Sequence, residues 1–177
     1  MGIGDVDADG RVDLAREKVD GALYRQVAPR SFQTTTGLLG PDTAVGGIAL
    51  SDVDGDGRDD WVAIQGFHDC PDSNCVEVRI SNGDGSFQVS TVPYTLASFP
   101  DRLVGGCDLD GDGLDDVAGL VEESLVMLTG ATPRLSEIAL GRAYGRLDLV
   151  DLDSDGTCEA VVLDPTDIAT AYAVVVP

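Results

Sequence analysis

Four copies of one nine-residue acidic pattern constrain this chain more than any other feature. They read Asp5-Val-Asp7-Ala-Asp9-Gly10-Arg11-Val-Asp13, Asp52-Val-Asp54-Gly-Asp56-Gly57-Arg58-Asp-Asp60, Asp108-Leu-Asp110-Gly-Asp112-Gly113-Leu114-Asp-Asp116 and Asp151-Leu-Asp153-Ser-Asp155-Gly156-Thr157-Cys-Glu159. The copies begin at residues 5, 52, 108 and 151, which sets spacings of 47, 56 and 43 residues. Recurrence in that range marks a repeat architecture, in which one supersecondary unit is stacked several times.

The charge of the chain is largely a property of these loops. Of 32 acidic side chains, 16 stand at loop positions 1, 3, 5 and 9; the remaining 16 face 11 lysines and arginines. The net charge of −21 therefore falls to −5 once the loops are set aside. Bound divalent ions, up to four of them, would still leave the molecule anionic. Such a chain repels nucleic acid and acidic membrane surfaces, so neither is expected as a partner. No apolar stretch approaches the roughly 20 residues of a spanning helix, and membrane insertion is not expected. The opening Met1-Gly-Ile-Gly-Asp5 carries no leader pattern. An extracellular or periplasmic setting therefore implies that an export signal has been removed, or that the chain belongs to something larger.

Carboxylates at positions 1, 3, 5 and 9 offer hard oxygen ligands, and calcium takes six to eight of them in flexible geometry. The main-chain carbonyl at position 7 (Arg11, Arg58, Leu114 and Thr157) adds another. Glycine at position 6 permits the sharp turn around an ion. Position 2 is always apolar (Val6, Val53, Leu109, Leu152) and is expected to anchor the loop in the core. An EF-hand would need flanking helices and a glutamate at position 12. That position holds Arg16, Ala63, Gly119 and Val162 instead. Ion-free Asp-Gly turns are the plainer alternative, but four crowded carboxylates per loop would repel one another without a counter-charge. Calcium is the expected cofactor. The last loop is the weakest, because Glu159 replaces Asp and Cys158 stands where Asp59 and Asp115 stand elsewhere.

The flanks of the loops are short, Val-rich runs: Val45–Leu50 and Trp61–Ile64, Leu103–Gly106 and Val117–Val121, Leu147–Val150 and Ala160–Leu163. Their length and composition predict strands. Val76–Ile80 alternates with period 2, Asn82-Gly-Asp-Gly85 is a turn, and Phe87–Val92 completes a four-strand unit. The third repeat matches it through Leu125–Leu128 and Arg134–Leu140. The fold class expected is all-β: one domain of about four four-stranded antiparallel units at 1–40, 41–97, 98–141 and 142–177. The first unit is expected to lack its first strand and the last its fourth, making fourteen strands.

Four cysteines permit three pairings. Cys70 and Cys75 bracket a polar loop that a local bridge would close, and Cys107 and Cys158 border acidic loops in successive repeats. A zinc site is disfavoured because His68 is the only histidine. The same scarcity removes the usual base for a Ser or Cys nucleophile. His68 reads as a surface loop residue, and Arg25, Arg30, Arg134 and Arg142 as scattered solvated positions. Trp61 and Tyr94 are the residues that could stack on a sugar, although Trp61 follows a ligand directly and reads as core. No reaction centre is apparent.

The Asp-x-Asp-x-Asp-Gly-x-x-Asp loops between first and second strands, together with the Asn82–Phe87 hairpin, resemble the FG-GAP/VCBS repeats of integrin-α-type β-propellers. The Phe-Gly and Gly-Ala-Pro signatures that name the repeat are absent. The resemblance implies four-stranded blades with calcium on one rim, usually seven or eight to a ring, so four would form a partial or half propeller. It also implies a binding or adhesion role without catalysis, with a protein or glycan as ligand. Two alternatives stand beside it. One is a lectin-like propeller or the non-catalytic part of a sugar-processing enzyme; the other is a half-propeller that associates with another copy to complete itself.

Overall fold

The computed structural model describes residues 1–16, 21–39, 44–66, 74–93, 100, 102–129, 134–164, 166 and 171–174. Among them are fifteen strands and no helix. The first sheet comprises β1 (Gly2–Gly4), β2 (Asp13–Arg16), β3 (Ala22–Ala28) and β4 (Ser31–Thr36). The second comprises β5 (Ala44–Ser51), β6 (Asp60–Gly66), β7 (Asn74–Ser81) and β8 (Phe87–Pro93). The third is β9 (Leu103–Cys107), β10 (Asp116–Val121), β11 (Ser124–Thr129) and β12 (Arg134–Ala139). The fourth is β13 (Arg146–Val150), β14 (Glu159–Leu163) and β15 (Ala171–Val174). Every sheet is an antiparallel meander with neighbours in chain order. Each acidic loop joins the first strand of a sheet to the second.

One expectation is corrected at the N-terminus. The first sheet does have a first strand: Gly2, Ile3 and Gly4 pair with Ala15, Leu14 and Asp13. A Gly-Ile-Gly segment carries no apolar run, which is why its strand character is invisible in sequence. Its glycines serve close approach. A Cβ on Gly4 would meet the Leu50 Cβ at 2.8 Å, and one on Gly105 in β9 would meet the Ser51 Cβ at 2.8 Å. First strands of successive sheets thus lie side by side, β1 on β5, β5 on β9 and β9 on β13.

Three apolar cores fill the three spaces between successive sheets. Val6, Ala15 and Leu23 of the first sheet meet Ile48, Leu50, Trp61 and Ala63 of the second. The second sheet turns Val53, Val62, Ile64 and Val78 toward Leu103, Val117 and Val126 of the third. Leu109, Ala118 and Met127 then pack on Leu147, Ala160 and Val162 of the fourth. An inner sheet is therefore apolar on both faces, which explains why its strands read as nearly continuous hydrophobic runs. Among the described residues, the first and last sheets share no comparable contact.

Candidate metal-binding loops

Each loop is wound around its own position-1 carboxylate. Asp52 accepts the backbone N–H groups of Gly55, Asp56 and Gly57 at 2.9, 3.0 and 2.9 Å. Asp5 accepts from Asp9 and Gly10, Asp108 from Gly111 and Gly113, and Asp151 from Ser154 and Gly156. The chain curls this tightly because the position-6 glycines take φ of 79°, 84°, 85° and 96°, a region that side chains disfavour.

Position 9 closes the loop from the other side. Asp13, Asp60 and Asp116 are completely buried, and each accepts the N–H of position 2. The second oxygens of Asp13 and Asp60 accept N–H groups from the third strand, Gln26 at 2.7 Å and Ser81 at 2.8 Å. Glu159 plays the same part toward Leu152 in the last loop, at 2.9 Å.

Three carboxylate positions converge in every loop. Oxygens of Asp5, Asp7 and Asp13 lie within 4.8 Å of one another, as do those of Asp52, Asp54 and Asp60, of Asp108, Asp110 and Asp116, and of Asp151, Asp153 and Asp155. Positions 1, 3 and 9 therefore meet in the first three loops, and positions 1, 3 and 5 in the last. Acidic groups in this arrangement could hold a metal ion.

Position 5 accepts the N–H of position 7 in all four loops. Asp9, Asp56 and Asp112 stand outside the converging set and accept the N–H of Arg11, Arg58 and Leu114, each at 2.9 Å. Asp155 accepts the N–H of Thr157 at the same distance. The guanidinium groups of Arg11 and Arg58 also fold back onto Asp9 and Asp56 as ion pairs. These arginines, expected only as carbonyl donors, thus occupy the position-5 carboxylates with their side chains. Their Nε atoms reach on to the carbonyls of Gln26 and Ser81.

The electrostatics follow from crowding and burial. Burial pushes the Asp60 carboxyl up to about 7, opposed by the N–H groups of Ser81 and Val53. Burial also raises Asp13 and Asp7, and the charges of Asp9 and Asp13 add to the rise at Asp7. Asp7 Oδ1 is buried without a hydrogen-bond donor. Its other oxygen lies 3.6 Å from Arg25, which is therefore less solvated than its sequence context suggests. A cation would add to the counter-charge that Arg25 alone brings to this cluster.

Position 8 lies outside the ligand pattern of the sequence, yet it ties one loop to the next. The N–H of Asp59 donates to the Asp5 carbonyl at 2.9 Å, and Asp5 returns its own N–H to the Asp59 carboxylate. Asp115 repeats this toward Asp52, with its N–H at 3.2 Å from the carbonyl and its carboxylate accepting from the Asp52 backbone. In the last loop Cys158 takes the position: its N–H reaches the Asp108 carbonyl at 2.6 Å, and its sulfur is disulfide-bonded to Cys107. Burial raises the carboxyls of Asp59 and Asp115. The doubled aspartates at positions 8 and 9 were the available signal.

Other expectations fall elsewhere. Trp61 is completely buried, edge-on to Phe87, and is core. Arg142 is not simply solvated: it pairs with Asp164 at 2.9 Å and lies over the rings of Tyr144 and Tyr172. His68, Tyr94, Cys70 and the Cys70–Cys75 bridge lie outside the described residues; Cys75 itself is buried and is not a free thiol. A cavity of about 290 Å³ lies between the third and fourth sheets, lined in part by Arg102, Glu122, Tyr144 and Arg146, and includes none of the loop carboxylates. Among the described residues no helix is long and apolar enough to cross a membrane. A scan against protein-family models finds no match, and a search of curated proteins finds none either.

Proposed function

We propose that the four loops bind calcium and that the domain is a calcium-stabilised, propeller-type binding module without catalysis. The observation that carries this reading is the convergence of three carboxylates in each loop. In the first loop it includes a buried Asp7 oxygen that no donor satisfies. The chemistry of the donor set is all oxygen, which favours a hard cation over zinc or copper. Calcium suits the loops better than magnesium, because irregular backbone turns tolerate its flexible coordination and would distort a strict octahedron. In this reading the ion takes positions 1, 3 and 9 directly in the first three loops. The position-7 carbonyls and water complete its shell.

Sheets that repeat with loops on the same connection support a partial propeller with its ions along one rim. The module would act outside the cytoplasm, where calcium is plentiful and a Cys107–Cys158 bridge persists. Its ligand would be a protein or a glycan held by variable connections on the fixed sheets. The lectin-like alternative must do without Trp61 as a stacking platform, since that ring is inside the core.

Isothermal titration of the chelated protein with calcium tests the proposal. Saturable heat with more than one site per chain is expected, and a part of it disappears in Asp54→Asn with Asp110→Asn. Absence of heat in the wild type, with the sheets intact by circular dichroism, would overturn it.

A further inference from the structure

The disulfide between the third and fourth sheets sits among the acidic groups that hold those two loops in shape. We infer that Cys107 and Cys158 are positioning residues for the third and fourth loops, whose cation affinity therefore depends on the oxidation state of the bridge; this rests on the reading of the loops as cation sites.

The residue just before position 1 of one loop lies against position 8 or 9 of the next, and the three junctions fill this place differently. At the first stands Gly4, where a Cβ would run into the Asp59 carboxylate. At the second stands Ser51, whose hydroxyl donates to the Asp116 carbonyl at 3.2 Å and accepts the Gly106 N–H at 2.8 Å. At the third stands Cys107, bonded through sulfur to Cys158. Asp59 and Asp115 also accept the position-1 N–H of the loop before them. A cysteine at position 8 offers no carboxylate for that purpose, and the covalent link takes its place.

Both cysteines are fastened to loop carboxylates. Cys107 directly precedes Asp108, which winds the third loop by accepting the N–H groups of Gly111 and Gly113 at 2.7 and 2.8 Å. Across the ladder between β9 and β10, Cys107 is the register partner of Asp116. Asp108 and Asp116 are two of the three groups that converge in that loop. Cys158 directly precedes Glu159, which closes the fourth loop by accepting the Leu152 N–H at 2.9 Å. The Cys158 N–H holds the Asp108 carbonyl as well, at 2.6 Å. The bridge thus runs from two converging carboxylates of the third loop to the closing residue of the fourth. The first and second loops are joined through Asp59 instead.

Clustered carboxylates repel one another, so an empty loop spreads unless something besides the ion holds it. A loop held in its binding shape needs less ordering when the ion arrives, and its affinity is higher for that reason. Opening the bridge frees Cys107 and Cys158 to part, and Asp108 and Glu159 with them. Cys158 is buried and Cys107 half-buried, so Cys107 is the sulfur that a thiolate can reach. A dithiol supplies both electrons. Its first thiolate attacks Cys107 and releases the Cys158 sulfur; its second closes the reagent's own disulfide and releases Cys107. The two cysteines end as thiols with the two protons that the dithiol gave up. Linkage is reciprocal, so a cation that prefers the bridged form makes the bridge harder to reduce.

Calcium titration in two backgrounds tests the inference. Asp7→Asn with Asp54→Asn leaves the third and fourth loops intact, and Asp110→Asn with Asp153→Asn leaves the first and second. Adding Cys107→Ser with Cys158→Ser removes the bridge and spares the disulfide at Cys75, which a reductant would also open. Calcium binding is expected to weaken about tenfold or more in the first background and to stay within about twofold of its parent in the second. Cys107→Gly with Cys158→Asp rebuilds the Gly4–Asp59 junction and should recover the lost affinity. Redox titration of the wild type against a dithiol, read by alkylation of Cys107 and Cys158, adds a readout that a merely structural bridge would not move. Saturating calcium should lower the potential relative to chelator by about 30 mV for each tenfold of affinity. Equal weakening in both backgrounds, no weakening in the first, or a potential indifferent to calcium would overturn the inference. Circular dichroism in chelator establishes that the variants keep their sheets, and the potential is measured on the wild type and needs no variant to fold. Calcium binding in neither background defeats the cation proposal itself; binding that ignores the bridge defeats only this inference.

Discussion

Of the carboxylates in each loop, the ninth is the one on which folding itself depends. Asp60 accepts N–H groups from Val53 and Ser81 at zero exposure, so truncation strands two buried donors. Each stranded donor costs roughly 1–3 kcal/mol, and Asp60→Ala should therefore lose on the order of 2–4 kcal/mol in urea unfolding even with chelator present. Exposed Asp54 has no such duty. Asp54→Asn should leave stability in chelator within about 0.5 kcal/mol of wild type and weaken only the calcium response. Gly4 belongs to the same scale. Its missing Cβ leaves room for Leu50 and Asp59, and Gly4→Ala should cost about 1–3 kcal/mol by overpacking, read from the same unfolding curves.

At the scale of elements, the junction between sheets is made by one loop position used in two chemical forms. Asp59 and Asp115 bridge with hydrogen bonds, whereas Cys158 bridges covalently across a sequence separation of 51 residues. In the chain-entropy account a bridge of that span adds about 4 kcal/mol. Denaturant unfolding with and without reductant should show a loss of that order, and Cys107→Ser with Cys158→Ser should reproduce it under oxidising conditions. The strands were legible wherever apolar residues ran together, as in Val117–Val121 and Ala160–Leu163. β1 was not, because a strand whose duty is to lie close to its neighbour is built of glycine and shows no pattern.

For the molecule as a whole, the proposed ion binding would be linked to folding. A ligand that binds only the native state at 100 times its Kd adds about 2.7 kcal/mol per site. For a chain of this length that corresponds to roughly 5–11 °C in melting temperature for each site. Thermal unfolding in excess EDTA should therefore fall well below that in millimolar calcium, and the gap should widen as calcium is raised.

The sequence by itself determined the repeat, the all-β character and the acidic loops, because those depend on local spacing: carboxylates on alternate residues, a glycine where φ is positive, and Val-rich flanks. It also placed the apolar anchor at position 2 of the first three loops, where Val6, Val53 and Leu109 enter the core, but not of the last, where Leu152 is exposed instead. Only the tertiary structure decided which carboxylates converge. Position 5 is taken by the position-7 arginine in the first two loops, and that depends on how the side chain folds over the turn. Only the packing of neighbouring sheets revealed that position 8 is a junction, that Arg142 lies over two tyrosine rings and that Leu152 is left exposed. Each of these is a contact between segments distant in the chain, and local pattern carries no record of what the next sheet will bring.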